Sequence, residues 1–522
     1  MTEHSESGKA DAPRTAAQDA AAAHAATAGR ASPPKPAGVA RQALVYGVGE
    51  VLSKAVSFIM LPLYTSYLSP ADYGVVSLVY MTFNLVSIVA GARLTAGIFR
   101  FYHKSDTERE RNTVISTAML LITVAYAVLS LLGFLFAAPL SNAIFSTPVH
   151  ADVLRLAAIS FLFQGIIAVP FAYLTVSEQP KLFVSVNLAK LVLQATLNYV
   201  FLAQMHWGVR SVFTSSVIAD ALFLLLLGWR QLRETGIGFS SDEAARLVRF
   251  WWPLIFTQGA LFVLTYGDRF FLQREGGETV VGLYALAYNF GFLLVQIGFS
   301  PFARVWDSVR FRVAKQREAD RDAPFSQAFI DVNVLLLTFG TGIMLFVRDF
   351  LRVMSKPAFH SAADIVPVIL VAYLLQCWAM MQEVGVMVTE RTGWNTVANV
   401  AGAVVALAGY ILLIPRYLGF GAAWATLISF AVRWIVLYIA SQRLWPIRYR
   451  WAPVAKLVVY SGAVSWIGFA LPARIPVVTS IAAHSALFLG YLAGLWYLGV
   501  VADSYREKAR GVVQGLVERT RR

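Results

Sequence analysis

The residues of this chain that could do chemistry are ionisable side chains set within long apolar stretches. They are Glu50, Lys54, Arg93, Lys190, Asp220, Asp268, Arg269 and Arg433. A charge near the centre of a bilayer costs at least a few kcal/mol unless it faces a partner or a water-filled cavity. Arginine binds phosphate oxygens in a bidentate manner, and lysine acts as a point charge. The five cations therefore predict a cationic cavity that binds an anionic group.

The alternative for these cations is snorkelling, in which a long side chain extends to the lipid headgroups. Snorkelling fits Arg93 and Arg269, which we place nearer to the ends of their spans. It fits Lys54, Lys190 and Arg433 poorly, because we place these near mid-depth. We therefore expect Lys54, Lys190 and Arg433 to contact the bound anion, with Arg93 near the entrance and Arg269 as a further candidate.

The three acidic candidates carry different expectations. Glu50 lies four residues before Lys54, so the two share a helix face and form either a self-neutralised pair or a proton-responsive gate. Asp220 is a titratable candidate for ion coupling. Asp268 and Arg269 are adjacent, so we expect them to point to different sides of the helix, with at most one facing the cavity.

The composition excludes several classes of protein. Of the 522 residues, 57% are hydrophobic and only 14% are charged, so a soluble protein of this size could not bury its apolar surface. The single cysteine, Cys377, excludes a disulfide scaffold and a multi-cysteine metal site. There is no P-loop pattern for ATP hydrolysis. The net charge of +14 lies mostly in loops on one side of the spans, which argues for topology and against nucleic acid.

Fourteen apolar stretches are long enough to cross a bilayer as helices. They are 41–65, 72–99, 113–136, 152–176, 181–203, 209–230, 247–272, 279–303, 325–347, 361–389, 394–414, 420–442, 452–471 and 478–501. The Lys and Arg distribution places both termini in the cytoplasm. The sequence thus predicts an all-α integral membrane protein.

The second half of the chain repeats the first at an offset of 208 to 213 residues. Gly74 aligns with Gly282 and Asn187 with Asn399, and such polar matches inside apolar helices rarely coincide by chance. An even number of helices per repeat gives both repeats one orientation and a pseudo-twofold axis along the membrane normal. The repeat also makes Asp220 equivalent to Arg433. The two could bridge the repeats as an ion pair, although packing of each within its own repeat is favoured.

The repeats predict two six-helix lobes that rock about a central cavity, followed by two further helices. The expected segments are 1–40, a disordered cytoplasmic tail; 41–230, the N-lobe; 231–246, a cytoplasmic linker; 247–442, the C-lobe; 443–501, helices 13 and 14; and 502–522, a basic cytoplasmic tail.

Two stretches resemble a known family. Residues 44–102 contain a polar first helix, a short loop ending in Tyr73-Gly74 and a glycine-rich segment ending in Arg100-Phe101. Residues 267–290 repeat the pattern, with an Asp-Arg pair before the loop and Val-Gly-Leu-Tyr after it. This resembles the polysaccharide-biosynthesis flippases of the multidrug/oligosaccharidyl-lipid/polysaccharide exporter superfamily, over most of residues 41–440.

The resemblance implies a V-shaped flippase of the bacterial inner membrane. It implies translocation of undecaprenyl-pyrophosphate-linked oligosaccharide to the periplasmic leaflet for O-antigen, capsule or exopolysaccharide assembly. Membrane lipids, a glycan polymerase and glycosyltransferases would be its partners. No cofactor is implied, and coupling to protons or sodium stays open.

Other functions remain open at this stage. A lipid II flippase or a drug exporter of the same superfamily would share the fold. A multi-pass glycan polymerase or glycosyltransferase is disfavoured because the loops offer no convincing pair of catalytic acids.

Overall fold

The computed structural model describes residues 60–91, 94–471 and 475–499, and within these ranges the chain is helical and contains no strand. Eleven of the described helices are long and apolar enough to cross a membrane. The expectation of an all-α, multi-pass membrane protein is confirmed. Most of the first expected span, together with Glu50, Lys54 and Arg93, lies outside the described residues.

The helices in chain order are α1 (Pro70–Ala90), α2 (Leu94–Tyr102), α3 (Glu108–Leu135), α4 (Ala137–Phe145), α5 (Ala151–Val176), α6 (Pro180–Tyr199), α7 (Val209–Thr235), α8 (Ser241–Tyr266), α9 (Asp268–Leu293), α10 (Ser300–Ala314), α11 (Glu318–Met354), α12 (Val366–Gln382), α13 (Val384–Val388), α14 (Gly393–Leu444), α15 (Trp451–Phe469) and α16 (Val477–Tyr497). Short π-helical turns extend α6 and α9, and a 3₁₀ segment, Pro357–Asp364, precedes α12.

Helix α1 shows how local sequence sets an element's ends. Ser69 and Asp72 form a capping box at its start, with Pro70 at the first helical position. Gly91 ends the helix in the left-handed conformation, with φ of 92°, which glycine adopts without a steric penalty. The helix therefore begins and ends where the sequence supplies caps, and it presents an apolar body between them.

Two of the helices, α9 and α14, are each interrupted by a single residue with positive φ. Gly277 breaks α9 with φ of 71°, and Leu418 breaks α14 with φ of 46°. Each break falls between two of the spans expected from the sequence. A side chain added at Gly276 would lie 3.3 Å from the Leu418 side chain, so the two breaks are neighbours on one face of the molecule. We call this side the Gly277 face; the total of fourteen spans stays a prediction.

The helices pack in two sets. Within the first half (α1–α7), α5 packs against α3 and α7, and α6 packs against α7. Within the second half (α8–α14), α14 packs against α8, α9 and α12. The last two helices, α15 and α16, pack against α11.

Among the described residues, the most extensive contact between the halves is the crossing of α1 and α9. A Cβ atom added to Gly74 would collide with the carbonyl oxygen of Glu278, and one added to Gly282 would collide with the carbonyl oxygen of Pro70. The offset of 208 residues places Gly74 on Gly282 and Pro70 on Glu278, so each of these contacts is the counterpart of the other. Such reciprocity is the property of an isologous, twofold contact. The crossing therefore supports the pseudo-twofold relation that the repeat predicts.

Candidate functional site

The centre of the candidate site is a buried ion pair at the start of α9. Nη1 of Arg269 lies 3.0 Å from Oδ1 of Asp268, and both side chains are almost fully buried. The Tyr284 hydroxyl donates to the other carboxylate oxygen at 2.5 Å. The expectation that these neighbours point to different sides needs correction, because the long arginine side chain reaches back to its neighbour. Snorkelling of Arg269 is also wrong, since the side chain does not reach the surface.

Aromatic rings surround the Arg269 guanidinium. Its central carbon lies 4.3 Å from the ring centre of Tyr288, 5.4 Å from that of Tyr266 and 5.5 Å from that of Tyr284. Ring faces carry negative electrostatic potential and attract a cation. The Nε atom of Arg269 is buried and has no hydrogen-bond partner among the described residues. The arginine is thus held in place by its neighbours and keeps a buried donor that no described residue satisfies.

Arg269 lines a cavity between the two halves, which we call the central cavity. Its volume is about 340 Å³. Its wall consists of Met60, Tyr64, Leu68, Tyr73, Val76, Ser77, Tyr80, Met81, Leu191, Gln194, Ala195, Asn198, Val212, Arg269, Ala285, Asn289 and Phe292. Arg269 is the one charged residue in this described part of the wall. The remaining polar groups are hydroxyls and carboxamides.

Hydrogen bonds fix the polar side chains of this wall. Asn289 donates from Nδ2 to the Tyr73 hydroxyl at 2.8 Å, a bond that joins the two halves. Asn198 donates to the Tyr64 hydroxyl at 3.0 Å within the first half. Gln194 donates to the Ser216 hydroxyl at 2.7 Å. The central cavity is therefore a preorganised polar site in an apolar surrounding.

Lys190 and Asp220 form an ion pair within the first half. Asp220 is buried, and Lys190 is mostly buried. Neither residue belongs to the described wall of the central cavity, although Gln194, one helical turn after Lys190, does. Lys190 is therefore engaged by an internal carboxylate in this conformation.

Arg433 lies in the interior of the second half. Its Nε donates to Oδ1 of Asn399 at 2.7 Å, and its Nη1 donates to Oε1 of Gln376 at 2.6 Å. Within the described part of the chain no carboxylate lies within ion-pair distance of it. The bridge between Asp220 and Arg433 that the repeat allowed is wrong, because each side chain has its partners within its own half.

Of the candidates that the structure describes, Arg269 and Asp268 come together at the central cavity, whereas Lys190, Asp220 and Arg433 lie within the separate halves. The tyrosines and carboxamides of the wall were not among the candidates selected from the sequence. For Asn289 and the two tyrosines around Arg269 a signal was present, because residues 283–290 read LYALAYNF and place two tyrosines and an asparagine within an otherwise apolar stretch.

The described residues contain no group of three or more His, Cys, Asp or Glu side chains that could hold a metal ion. His150 instead pairs with Glu278 at 2.8 Å, and His484 pairs with Asp349 at 2.5 Å. The single cysteine, Cys377, is buried and free.

A polar cavity between two helical halves defines the architecture of a two-lobed helical membrane protein. Residues 66–323, just under half of the chain, match the family model described as polysaccharide biosynthesis protein. The predicted resemblance to a polysaccharide-biosynthesis family is confirmed.

The solved structures show the same fold. The chain is similar to the lipid II flippase MurJ in an inward closed conformation, with a TM-score of 0.65 and 14% identity over 87% of this chain and 99% of that one. It is also similar to an inward-facing multidrug resistance MATE family transporter of the MOP superfamily, with a TM-score of 0.57 and 15% identity over 78% and 95% of the two chains. The chain thus shares the fold of these two proteins.

Among curated proteins, the chain is similar to an Lsg locus protein of Haemophilus influenzae. The two are 22% identical over 311 residues, which cover 57% of this chain and 74% of that protein. An uncharacterized membrane protein of Haemophilus influenzae is 21% identical over 257 residues, which cover 48% and 60% of the two chains.

Proposed function

We propose that this chain is a flippase that moves undecaprenyl-pyrophosphate-linked oligosaccharide from the cytoplasmic to the periplasmic leaflet of the bacterial inner membrane. The observation that carries the proposal is the buried Arg269 at a polar cavity between the halves. The match to a polysaccharide-biosynthesis family and the shared fold with a lipid flippase support it.

The chemistry of the substrate explains why such a cavity is needed. Sugar hydroxyls and phosphate charges cannot cross hydrocarbon unaided, because each loses its hydrogen bonds to water. A polar cavity supplies replacement bonds while the polyprenyl tail stays in lipid. Export of two negative charges down a membrane potential of 100 mV, negative inside, releases roughly 4–5 kcal/mol. Coupling to protons or sodium is therefore not required by the energetics.

Alternating access is the mechanism we propose. Three contacts join the halves on the Gly277 face: the α1–α9 crossing, the His150–Glu278 pair and a bond of 3.0 Å from the Thr65 hydroxyl to the Met354 carbonyl. The charge distribution predicts that this face is periplasmic. These contacts would break as the cavity opens to the periplasm and would re-form as it returns.

The roles of the individual charges follow from this mechanism as proposals. Arg269 is the first candidate for contact with the headgroup, together with Lys54, Arg93, Lys190 and Arg433. Glu50, Asp220 and Asp268 are the candidates for coupling or gating. The proposed assembly pathway supplies a glycan polymerase and glycosyltransferases as functional partners.

The proposal is tested by deleting the gene and analysing lipid-linked glycans. We expect a lipid-linked oligosaccharide to accumulate and surface glycan to be lost, with rescue by the wild-type gene and not by Arg269→Ala. Arg274→Ala is the matched control, because Arg274 lies on the same helix and is exposed. Accumulation of lipid II instead would contradict the proposed substrate, and normal surface glycan in the deletion strain would contradict the function.

A further inference from the structure

We infer that the Tyr73–Asn289 side of the central cavity binds the sugar rings of the substrate, as uncharged pyranoses with hydroxyl or acetamido groups, rather than its pyrophosphate. The inference rests on the proposed function and names which part of the headgroup this wall takes.

The residue types of the wall favour a sugar as the ligand. Three tyrosines (Tyr64, Tyr73, Tyr80) and three carboxamides (Gln194, Asn198, Asn289) face a common space. A pyranose ring presents C–H groups on its faces and hydroxyls around its rim. Tyrosine offers an apolar ring with a polar tip, and a carboxamide offers both a donor and an acceptor. The wall therefore matches a sugar in both its apolar and its polar parts.

The charge of the wall favours an uncharged ligand on this side of the cavity. Its one described charge, that of Arg269, is already paired with the Asp268 carboxylate. The Tyr73–Asn289 side itself has no charged group among the described residues, so a pyrophosphate bound there would lie against uncharged groups, and burial of uncompensated charge is costly. An uncharged sugar carries no such penalty.

The hydrogen-bonding groups of the wall also favour a sugar as the ligand. The Tyr73 hydroxyl accepts a bond from Asn289, so its own hydrogen is available to a ligand. The Tyr64 hydroxyl likewise accepts a bond from Asn198, so its hydrogen is also available. The Oδ1 atom of Asn289 accepts no bond from another described residue. The wall thus offers both donors and acceptors to sugar hydroxyls.

The position of the wall adds a consequence for transport. The bond from Asn289 to Tyr73 joins the two halves beneath the α1–α9 crossing. A sugar hydroxyl could take the place of Asn289 as the donor to the Tyr73 hydroxyl. The hydrogen bond between the halves would then be replaced by a hydrogen bond to the ligand. The cavity volume of about 340 Å³ is at the lower end of small-ligand pockets, so the wall contacts only part of a glycan.

The test compares two lipids on the purified full-length chain in nanodiscs. The probes are the lipid-linked glycan extracted from a deletion strain and undecaprenyl pyrophosphate, which has no sugar. Asn289→Ala and the milder Tyr73→Phe should weaken binding of the glycan lipid about 10-fold and change binding of undecaprenyl pyrophosphate less than twofold. Asn142→Ala, at an exposed asparagine, is the control and should change neither.

Equal weakening of both probes, or no weakening of the glycan lipid by either variant, contradicts the inference alone. A wild-type chain that binds neither probe, or a deletion strain without a lipid-linked glycan, contradicts the proposed function and the inference with it. Thermal melting of each variant in the same nanodiscs identifies loss of fold, and Tyr73→Phe provides the comparison if Asn289→Ala does not fold.

Discussion

At the scale of single residues, the Asp268–Arg269 pair shows how several groups hold one buried charge in a fixed position. The carboxylate, the Tyr284 hydroxyl and three aromatic rings all serve to hold the guanidinium in one place. Holding a ligand group in place before binding reduces the entropy lost when the ligand arrives. The same burial makes the pair sensitive to the loss of either member.

We predict that Asp268→Asn strongly destabilises the protein, because it leaves Arg269 buried without its counter-charge. Breaking a buried ion pair costs about 3–5 kcal/mol. Tyr284→Phe removes one hydrogen bond to the same carboxylate and should cost less, about 1–3 kcal/mol. Thermal melting in detergent measures both. Equal melting of Asp268→Asn and wild type would show that Arg269 does not depend on this carboxylate.

The Lys190–Asp220 pair gives a second prediction at this scale. Lys190→Met and Asp220→Asn each leave one buried group without its partner, so each should lower the melting temperature. The double variant removes both charges and should be more stable than the Lys190→Met single variant. A double-mutant cycle measures the coupling. Additive losses would mean that the two charges act independently.

At the scale of helices, the α1–α9 crossing closes the Gly277 face, and its glycines permit the close approach. Gly74→Ala and Gly282→Ala would each drive a methyl group into a backbone carbonyl of the opposing helix. We expect each to separate α1 from α9 and weaken closure of this face. Gly462→Ala is the control, because a side chain at that helical position meets nothing within 4 Å.

Closure can be followed by cross-linking His150→Cys to Glu278→Cys with a short bis-methanethiosulfonate linker. In the native pair, Nε2 of His150 lies 2.8 Å from Oε1 of Glu278. The one natural cysteine, Cys377, is buried. The cross-linked fraction should fall in the Gly74→Ala and Gly282→Ala backgrounds and stay unchanged with Gly462→Ala. An unchanged fraction in all three backgrounds would separate the glycine crossing from closure.

The helices also show how far sequence reasoning extends. Apolar length and the gaps near 273–278 and 415–419 located the breaks in α9 and α14, because a chain that reverses at a membrane face needs polar or glycine residues there. The partners of Asp220 and Arg433 could not be predicted. Partner choice depends on how each helix is rotated about its axis, and packing against neighbouring helices sets that rotation.

The same limit applies to the site. Arg269 could be selected because a charge in an apolar helix is conspicuous. Tyr73 and Asn289 could not, since they are 216 residues apart in the chain and only the crossing of α1 and α9 joins them. The 208-residue repeat nevertheless aligned Gly74 with Gly282, and both glycines lie at that crossing.

At the scale of the whole molecule, two repeated halves enclose one polar cavity and meet tightly on the Gly277 face. The fold is shared with a lipid flippase and with multidrug transporters, so the fold alone does not choose the cargo. The wall of the central cavity bears on that choice through its tyrosines and carboxamides. Transport by alternating access requires that the halves separate on the Gly277 face during each cycle.

The most direct test of that requirement is surface glycan display in cells that carry the His150→Cys and Glu278→Cys pair. Treatment with the reversible linker should stop display and cause lipid-linked glycan to accumulate, and a reductant should restore display. Each single-cysteine variant treated in the same way should display glycan normally. Display at the wild-type rate while the pair is fully cross-linked would contradict alternating access around this cavity.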